Sequence, residues 1–189
     1  MPKPHYRLTD KPPTYYYMRK NRAIICQTLR AASTSMLKTL TGLPRVSPEK
    51  AIELREQGVD SIMWLRDPLE RWAGAAHLFM RNRGWILEQF HRQSLLEINN
   101  HWHPQTHVHT NRAGILVPNI VYPFEVLNET WPLHARGFLL GTWNVTKQRK
   151  RWPELAKELS FMQIKALECY YARDIELREK VCADYNIAT

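Results

Sequence analysis

The spacing of apolar residues in the first third of the chain predicts strands and helices. TYYYM (14–18) and RAIICQT (22–28) are typical of strands, and the second is apolar enough to lie buried in a parallel sheet. From about Ser33 to Thr41 the apolar residues follow a helical spacing. Gly42 and Pro44 end this predicted helix.

The next elements complete an α/β pattern. SPEKAIELREQG (47–58) predicts a helix with Ser47 as its N-cap and Pro48 as its first residue. SIMWL (61–65) predicts a short strand, and RDPLERWAGAAHLFMRN (66–82) predicts the following helix. The order strand, helix, helix, strand, helix predicts an α/β domain with a central parallel β-sheet flanked by helices.

The second half of the chain is predicted to be more helical. WILEQFHRQSLLEI (85–98) predicts a helix, and HWHPQTHVHTN (101–111) predicts a loop. ILVPNIVYPFEVL (115–127) predicts one or two short strands, because prolines interrupt it. The last stretch, residues 152–186, predicts one or two amphipathic helices.

Composition and charge narrow the class of protein. With 189 residues and 44% hydrophobic content, we expect a single domain over 1–189, in which residues 1–13 form an irregular arm. No apolar run reaches the roughly 18 residues of a membrane span, and the polar N-terminus lacks the apolar core of a secretory signal. The three cysteines lack metal-ligand spacing, so we expect a reduced, cytoplasmic protein.

A formal net charge of +9 indicates an anionic partner, which could be nucleic acid, a phosphorylated small molecule or a sulfated polymer. A basic surface kept for solubility is the alternative.

The first predicted strand-to-helix junction places hydroxyl groups at a helix start. Helix starts carry unpaired N–H groups and partial positive charge, and therefore attract anions. Small residues would let a phosphate approach the backbone, and an arginine adds a forked cation. The residues that could contact such an anion are Arg30, Ala31, Ala32, Ser33, Thr34 and Ser35. An ordinary N-cap is the alternative, and the missing GxxxxGK[ST] pattern argues against an ATPase or a kinase.

The second predicted strand-to-helix junction, at RDPLER, could also bind an anion at a helix start. Asp67 predicts an N-cap and Glu70 a capping-box partner. Arg66 at the strand end and Arg71 in the second turn then lie near a helix start, and Gly74 leaves room for a ligand. The alternative is a structural ion pair between one of these arginines and Asp67 or Glu70.

These segments resemble the PAPS-dependent sulfotransferases, specifically the carbohydrate-type sulfotransferase family 2. LRAASTSMLK is similar to that family's 5′-phosphosulfate loop from Ala32 through Ser35, and again at Leu37 and Lys38 if Met36 is an extra residue. RDPLERWAGAA closely resembles its 3′-phosphate motif. HWHPQ, PFEVL, WNVTKQ and YYARDIEL resemble later family segments in the same order.

The resemblance implies the P-loop-like α/β sulfotransferase fold. It implies 3′-phosphoadenosine 5′-phosphosulfate (PAPS) as donor and adenosine 3′,5′-bisphosphate as product, with in-line transfer of a sulfuryl group to a hydroxyl or amine. No metal is needed, because catalysis is mainly positioning and charge stabilisation. The resemblance points to a carbohydrate acceptor, which no residue of the chain identifies.

The chain departs from the family at three positions. Arg30 stands where the family has lysine, and arginine is a poor proton donor. The leaving oxygen would therefore be stabilised electrostatically, or would receive a proton from Lys38. Gly74 replaces a serine and Ala76 a tyrosine.

The resemblance names His101 as the general base that activates the acceptor hydroxyl. Glu70 and Glu125 are alternatives, because the family also uses glutamate. The histidines of HWHPQTHVH could instead bind zinc, with His107 and His109 on one strand face, but no Cys or Asp lies nearby in sequence. We therefore expect no metal.

The basic run KQRKRW (147–152) predicts a mobile loop over the donor's 3′-phosphate, with Asn144 and Thr146 supplying hydrogen bonds. It could also be a nucleic-acid patch or a solvated helix start. The expected partners are thus PAPS and a hydroxyl-bearing acceptor. The alternative is a catalytically weak or inactive sulfotransferase-like module that binds nucleic acid or another polyanion.

Overall fold

The computed structural model describes residues 13–28, 33–97, 99, 101–141 and 151–188. Its strands are β1 (Thr14–Met18), β2 (Ala23–Gln27), β3 (Arg45–Val46), β4 (Asp60–Leu65) and β5 (Ile120–Pro123). Its helices are α1 (Ser33–Thr39), α2 (Pro48–Glu56), α3 (Pro68–Arg83), α4 (Leu87–Leu96), α5 (Gln105–Val108), α6 (Leu127–His134), α7 (Trp152–Ala156), α8 (Phe161–Tyr170) and α9 (Ala172–Asp184). Two 3₁₀ turns occur at Arg19–Asn21 and Phe124–Val126.

The five strands form one mixed sheet in the order β3-β1-β2-β4-β5. Strands β2, β4 and β5 are parallel, whereas β1 runs antiparallel to both of its neighbours. The α/β class is therefore confirmed, and the sheet that was predicted to be parallel is mixed: its strands β2, β4 and β5 are parallel and β1 is antiparallel. Only the turn at Arg19–Asn21 and Arg22 connect β1 to β2, and a parallel pair needs a crossover of a dozen residues or more.

Side chains alternate between the two faces of the sheet, as the pleat requires. Ile25, Ile62 and Trp64 pack on one face against α1 and α6. Ile24 and Met63 pack on the other face against α2. Both faces of the central strands are buried, which explains why β2 and β4 are almost continuously apolar.

A further cluster of buried aromatic residues lies among α3, α4, α7 and α8. We call it the aromatic cluster; its largest members are Trp72, Phe79, Phe90, Trp102 and Tyr171. The apolar face of α3 therefore packs mainly against other helices.

The predicted N-caps Ser47 and Asp67 are confirmed, but the predicted capping box at Glu70 is not, because its carboxylate contacts Arg66 and the Trp152 N–H instead. Ser47 accepts a hydrogen bond from the backbone N–H of Lys50 (3.1 Å) at the start of α2. Asp67 accepts one from the N–H of Glu70 (2.7 Å) at the start of α3. These caps fix where the chain turns from strand into helix.

Two predictions for the second half of the chain need correction. The predicted loop 101–111 contains the short helix α5, and the C-terminal stretch forms three helices, not one or two. Ser160 and Gln163 form a capping box that starts α8 separately from α7. Among the helices in the described ranges, none has the length and apolar character needed to cross a membrane.

Candidate anion-binding site

The two predicted anion-binding junctions leave the sheet at the same edge. Strands β2 and β4 are hydrogen-bonded neighbours and run parallel, so their carboxyl ends lie side by side, about 4.8 Å apart. Helix α1 follows β2 in the chain, and α3 follows β4. Ligands of open α/β sheets bind beyond these strand ends. We call this region the carboxyl edge.

The structure describes only part of the first junction. Arg30, Ala31 and Ala32 lie outside the described residues. Ser33 and Thr34 begin α1, although their side chains are outside the described part. Ser35 is buried, and Lys38 is exposed on the same helix. The predicted helix start is present at the predicted residue.

Arg66 lies at the end of β4, as predicted. Its side chain is 13% exposed, and its Nη2 lies 3.7 Å from Glu70 Oε2. Its guanidinium also lies over the Phe124 ring, 6.0 Å from the centroid. The structural ion pair considered above is therefore present for Arg66. It is long, and the oxygens of a phosphate could replace the carboxylate beside the guanidinium.

Glu70 makes a second contact. Its Oε1 accepts a hydrogen bond from the backbone N–H of Trp152 (3.3 Å), the first residue of α7. Glu70 thus joins α3 to α7 as well as lying beside Arg66.

Arg71 does not lie at the surface with Arg66. It is fully buried, and its Nη1 donates a hydrogen bond to the backbone oxygen of His103 (2.5 Å). Burial lowers the pKa of Arg71, and the neighbouring Tyr171 and Asp174 oppose that shift. The prediction that Arg71 contacts a phosphate disagrees with this placement, because the segment before α5 covers the guanidinium. Gly74, one turn further along α3, is also buried.

His101 lies away from Arg66. Its Nδ1 is hydrogen-bonded to Asn99 Oδ1 (2.9 Å), and its ring packs edge-on against Phe79, with centroids 5.7 Å apart. Phe79 lies three full turns into α3, about 16 Å along the helix from its start. The structure therefore does not bring the predicted base to the carboxyl edge.

Asn144 and Thr146, and the basic run up to residue 150, lie outside the described residues. Their predicted roles stay predictions.

Two other histidines of the HWHPQTHVH segment, His103 and His109, are buried in the core, whereas His107 is exposed. His109 Nε2 is hydrogen-bonded to Thr28 Oγ1 (2.5 Å), and His103 Nδ1 to the hydroxyl of Tyr170 (2.5 Å). Burial lowers the pKa of both His103 and His109 to about 3. The charges of His107 and Arg71 lower the pKa of His103 further, and Arg71 alone does so at His109. Both rings are therefore neutral at pH 7. Across the described ranges, no group of three His, Cys, Asp or Glu side chains could hold a metal ion.

Helix α9 contributes polar residues that sequence reasoning missed. The Asp174 carboxylate accepts hydrogen bonds from Gln105 N (2.6 Å), Thr106 N (2.9 Å) and Thr106 Oγ1 (2.6 Å). Arg178 donates to Glu125 Oε1 (2.7 Å) and lies 4.0 Å from Asp67 Oδ2. The Asp174 contacts tie α9 to α5, and the Arg178 contacts tie it to the residues that follow β4 and β5.

A signal for these residues exists in the sequence. Asp174 and Arg178 fall at helical spacing within a stripe otherwise made of buried Tyr171, Val181 and Cys182. Charged residues inside an apolar stripe indicate a buried polar network.

An open groove of about 560 Å³ lies between the start of α3 and helices α8 and α9. Its lining includes the carboxylates of Asp67, Glu168, Glu176 and Glu179, with Arg178 as the one cation among the lining residues. Because carboxylates repel phosphate groups, this groove is unsuited to a bisphosphate.

Comparison of the chain with protein-family models, with curated proteins and with solved structures finds no match.

Proposed function

We propose that this chain is a PAPS-dependent sulfotransferase that transfers a sulfuryl group to a hydroxyl or amine of an acceptor. One observation carries the proposal: two helix starts of anion-binding character follow neighbouring parallel strands and share one edge of the sheet. PAPS carries separate phosphate groups on the 3′ and 5′ oxygens of its ribose, so it needs two neighbouring anion sites. The resemblance of both junctions to the family's motifs supports the same assignment.

In this proposal the start of α1 holds the 5′-phosphosulfate. Backbone N–H groups of residues 31–35 and the hydroxyls of Ser33, Thr34 and Ser35 donate to its oxygens. Arg30 stabilises the charge that develops on the leaving oxygen, and Lys38 is the available proton donor. Arg66 holds the 3′-phosphate. Arg71 supports the site from the interior and does not touch the ligand.

Transfer is in line. The acceptor oxygen or nitrogen forms a bond to sulfur while the bond from sulfur to the 5′-phosphate oxygen breaks, and a base takes the acceptor's proton. Glu70 and Glu125 lie at the carboxyl edge and His101 does not, so the carboxylates are better placed for this role.

A thermal-shift titration tests the proposal. At a concentration 100-fold above its dissociation constant, adenosine 3′,5′-bisphosphate should stabilise the protein by about 2.7 kcal/mol, which raises Tm by roughly 5–10 °C. ATP at the same concentration should shift Tm less, and Arg66→Ala should remove the bisphosphate effect. Transfer of labelled sulfate from PAPS to a panel of glycans, peptides and alcohols then tests catalysis. Absence of any bisphosphate effect on the wild-type protein contradicts the proposal.

A second candidate function is a module of this fold that binds nucleic acid or another polyanion without catalysis. The remote position of His101 and the burial of Arg71 favour it, because two residues expected at the active site are used elsewhere. Stabilisation by short DNA alone, fading steeply as salt rises, would support this candidate.

A further inference from the structure

The groove between the start of α3 and helices α8 and α9 follows one face of α9. Four of its lining residues fall at helical positions i, i+3, i+4 and i+7 of α9, namely Ala172, Ile175, Glu176 and Glu179. They span about 10 Å along the helix axis. An extended chain rises about 3.3 Å per residue, so the groove offers room for a short peptide segment. We call it the acidic groove.

The floor of the acidic groove is apolar. It is lined by Pro68 and Leu69 at the start of α3 and by Ile175 of α9. Leu69 and Ile175 are half-buried, and both also pack against the aromatic cluster. Because the cluster fixes the position of these two side chains, the floor is formed without a ligand. An apolar side chain placed on it would be removed from water.

The rim of the acidic groove carries carboxylates without cationic partners. Glu176 and Glu179 are exposed, and neither forms a salt bridge or a side-chain hydrogen bond within the described ranges. They are one helical turn apart, and like charges at this spacing repel each other. Glu168 of α8 differs, because it pairs with Lys165 (2.6 Å). A cation beside Glu176 and Glu179 would relieve their repulsion.

Arg178 lines the groove but does not neutralise this rim. It is 8% exposed. Its Nη2 donates to Glu125 Oε1 (2.7 Å), and its Nη1 lies 4.0 Å from Asp67 Oδ2. The guanidinium is therefore used by two carboxylates other than those of Glu176 and Glu179.

The arrangement of the carboxylates suits several separate cations better than one metal ion. Metal ligands must converge on a single point, and in the part of the chain that the structure describes no group of three His, Cys, Asp or Glu side chains does so. Lysine or arginine side chains can instead pair with carboxylates spread along a groove. Because the chain has a formal net charge of +9, a basic ligand would be attracted only where carboxylates are locally concentrated.

We propose that the acidic groove binds a basic peptide segment of another protein, in which an apolar side chain is flanked by lysine or arginine. The apolar side chain packs on Leu69 and Ile175, and the flanking cations pair with the Glu176 and Glu179 carboxylates. Both the apolar floor and the acidic rim are needed for binding. The inference does not rest on the proposed function, because none of the lining residues is a proposed contact of PAPS.

Fluorescence anisotropy with labelled peptides tests the proposal on the full chain. The probe is a pentapeptide, blocked at both ends, in which one leucine is flanked on each side by two lysines. In the comparison peptide serine replaces the leucine. We expect the serine peptide to bind about tenfold more weakly, since this is the effect of burying about half of a leucine side chain. Equal binding of the two peptides, or no saturation by the leucine peptide up to about 1 mM, would overturn the proposal.

A double variant tests whether the groove is the binding site. Glu176→Gln combined with Glu179→Gln should weaken the leucine peptide about fivefold, because two exposed ion pairs are lost. The matched control combines Glu49→Gln with Glu56→Gln, which removes the same charge from α2, outside the groove lining. The control should stay within about twofold of the wild-type affinity, because salt screens distant charges. Equal weakening by both double variants would show that net charge and not the groove attracts the peptide.

A second copy of the chain is the other occupant that the measurement must distinguish. Sedimentation velocity compares the wild-type protein with the variant that combines Glu176→Gln and Glu179→Gln. We expect both to sediment alike, because the proposed occupant is a different protein. A dimeric wild-type protein together with a monomeric variant would overturn the proposal, since the groove would then hold another copy of this chain.

Discussion

The aromatic cluster and the carboxyl edge both contain fully buried side chains but are held together by different interactions. In the cluster, ring pairs such as Phe79–Trp102 and Phe90–Trp102 pack edge to face, with centroids 5.0 and 5.2 Å apart. At the edge, buried polar side chains such as Gln105 and Asp174 are hydrogen-bonded to backbone groups far away in sequence.

Apolar packing is non-directional and tolerates replacements of similar volume. A buried polar network accepts only groups with the same donors and acceptors, and it therefore fixes positions more strictly. The cluster should accordingly dominate the free energy of unfolding, and the edge should dominate the geometry of the candidate site. Four measurements test this contrast.

The largest loss of stability should come from the cluster. Trp72 is fully buried, and its Nε1 donates to Ser94 Oγ (2.9 Å). Trp72→Ala should lower the free energy of unfolding by about 3–5 kcal/mol, as measured by chemical denaturation. The control Trp72→Phe, which keeps an aromatic ring, should cost only about 1–2 kcal/mol. Equal losses in both variants would show that the hydrogen bond and not the packing matters.

Asp174→Ala should have the next largest effect. It leaves three donors without an acceptor and removes a buried carboxylate whose charge interacts favourably with Arg71. We expect a loss of about 3 kcal/mol in the free energy of unfolding. In contrast to Trp72→Phe, the near-isosteric Asp174→Asn should recover little of it, because the charge and one acceptor are still missing. Full recovery in Asp174→Asn would mean that shape alone is needed there.

Stability should fall as the solution is acidified below about pH 6.5. His103 and His109 have pKa values of about 3 in the folded protein, against about 6.5 unfolded. Between these two pKa values the unfolded chain binds more protons than the folded protein does. The free energy of unfolding therefore rises with pH in this range, and it decreases as the solution is acidified. From pH 7 to 5.5 the two histidines together should remove about 2.5 kcal/mol. His109→Gln should roughly halve this slope, and an unchanged slope would contradict the burial of His109.

Arg66→Ala should change folding stability least. Its ion pair with Glu70 is long, at 3.7 Å, and Glu70 is partly exposed, so we expect a loss below about 1 kcal/mol. The same variant should lose most of its affinity for adenosine 3′,5′-bisphosphate, measured by calorimetry. Large destabilisation with unchanged affinity would mean that Arg66 belongs to the structural network and not to the ligand site.

Local signals predicted much of the fold. The strands β1, β2 and β4, and the caps Ser47 and Asp67, follow from residues within a few positions of each other. The antiparallel direction of β1 was missed, although the short connection at 19–22 requires it.

The missed features depend on distant partners. Helix α5 is stabilised by Asp174, a residue 69 positions from Gln105, and no local pattern connects the two. Arg71 has a plausible position near a helix start, but the backbone of His103 folds over it from another part of the chain. Arg66 was placed correctly because its position depends only on where β4 ends.

The most direct test of the central claim is a crystal structure of the protein with adenosine 3′,5′-bisphosphate. We predict that one molecule of the ligand spans the carboxyl edge, with its 5′-phosphate at the start of α1 and its 3′-phosphate within hydrogen-bonding distance of Arg66. A ligand bound elsewhere, or one that contacts only a single junction, would contradict the account.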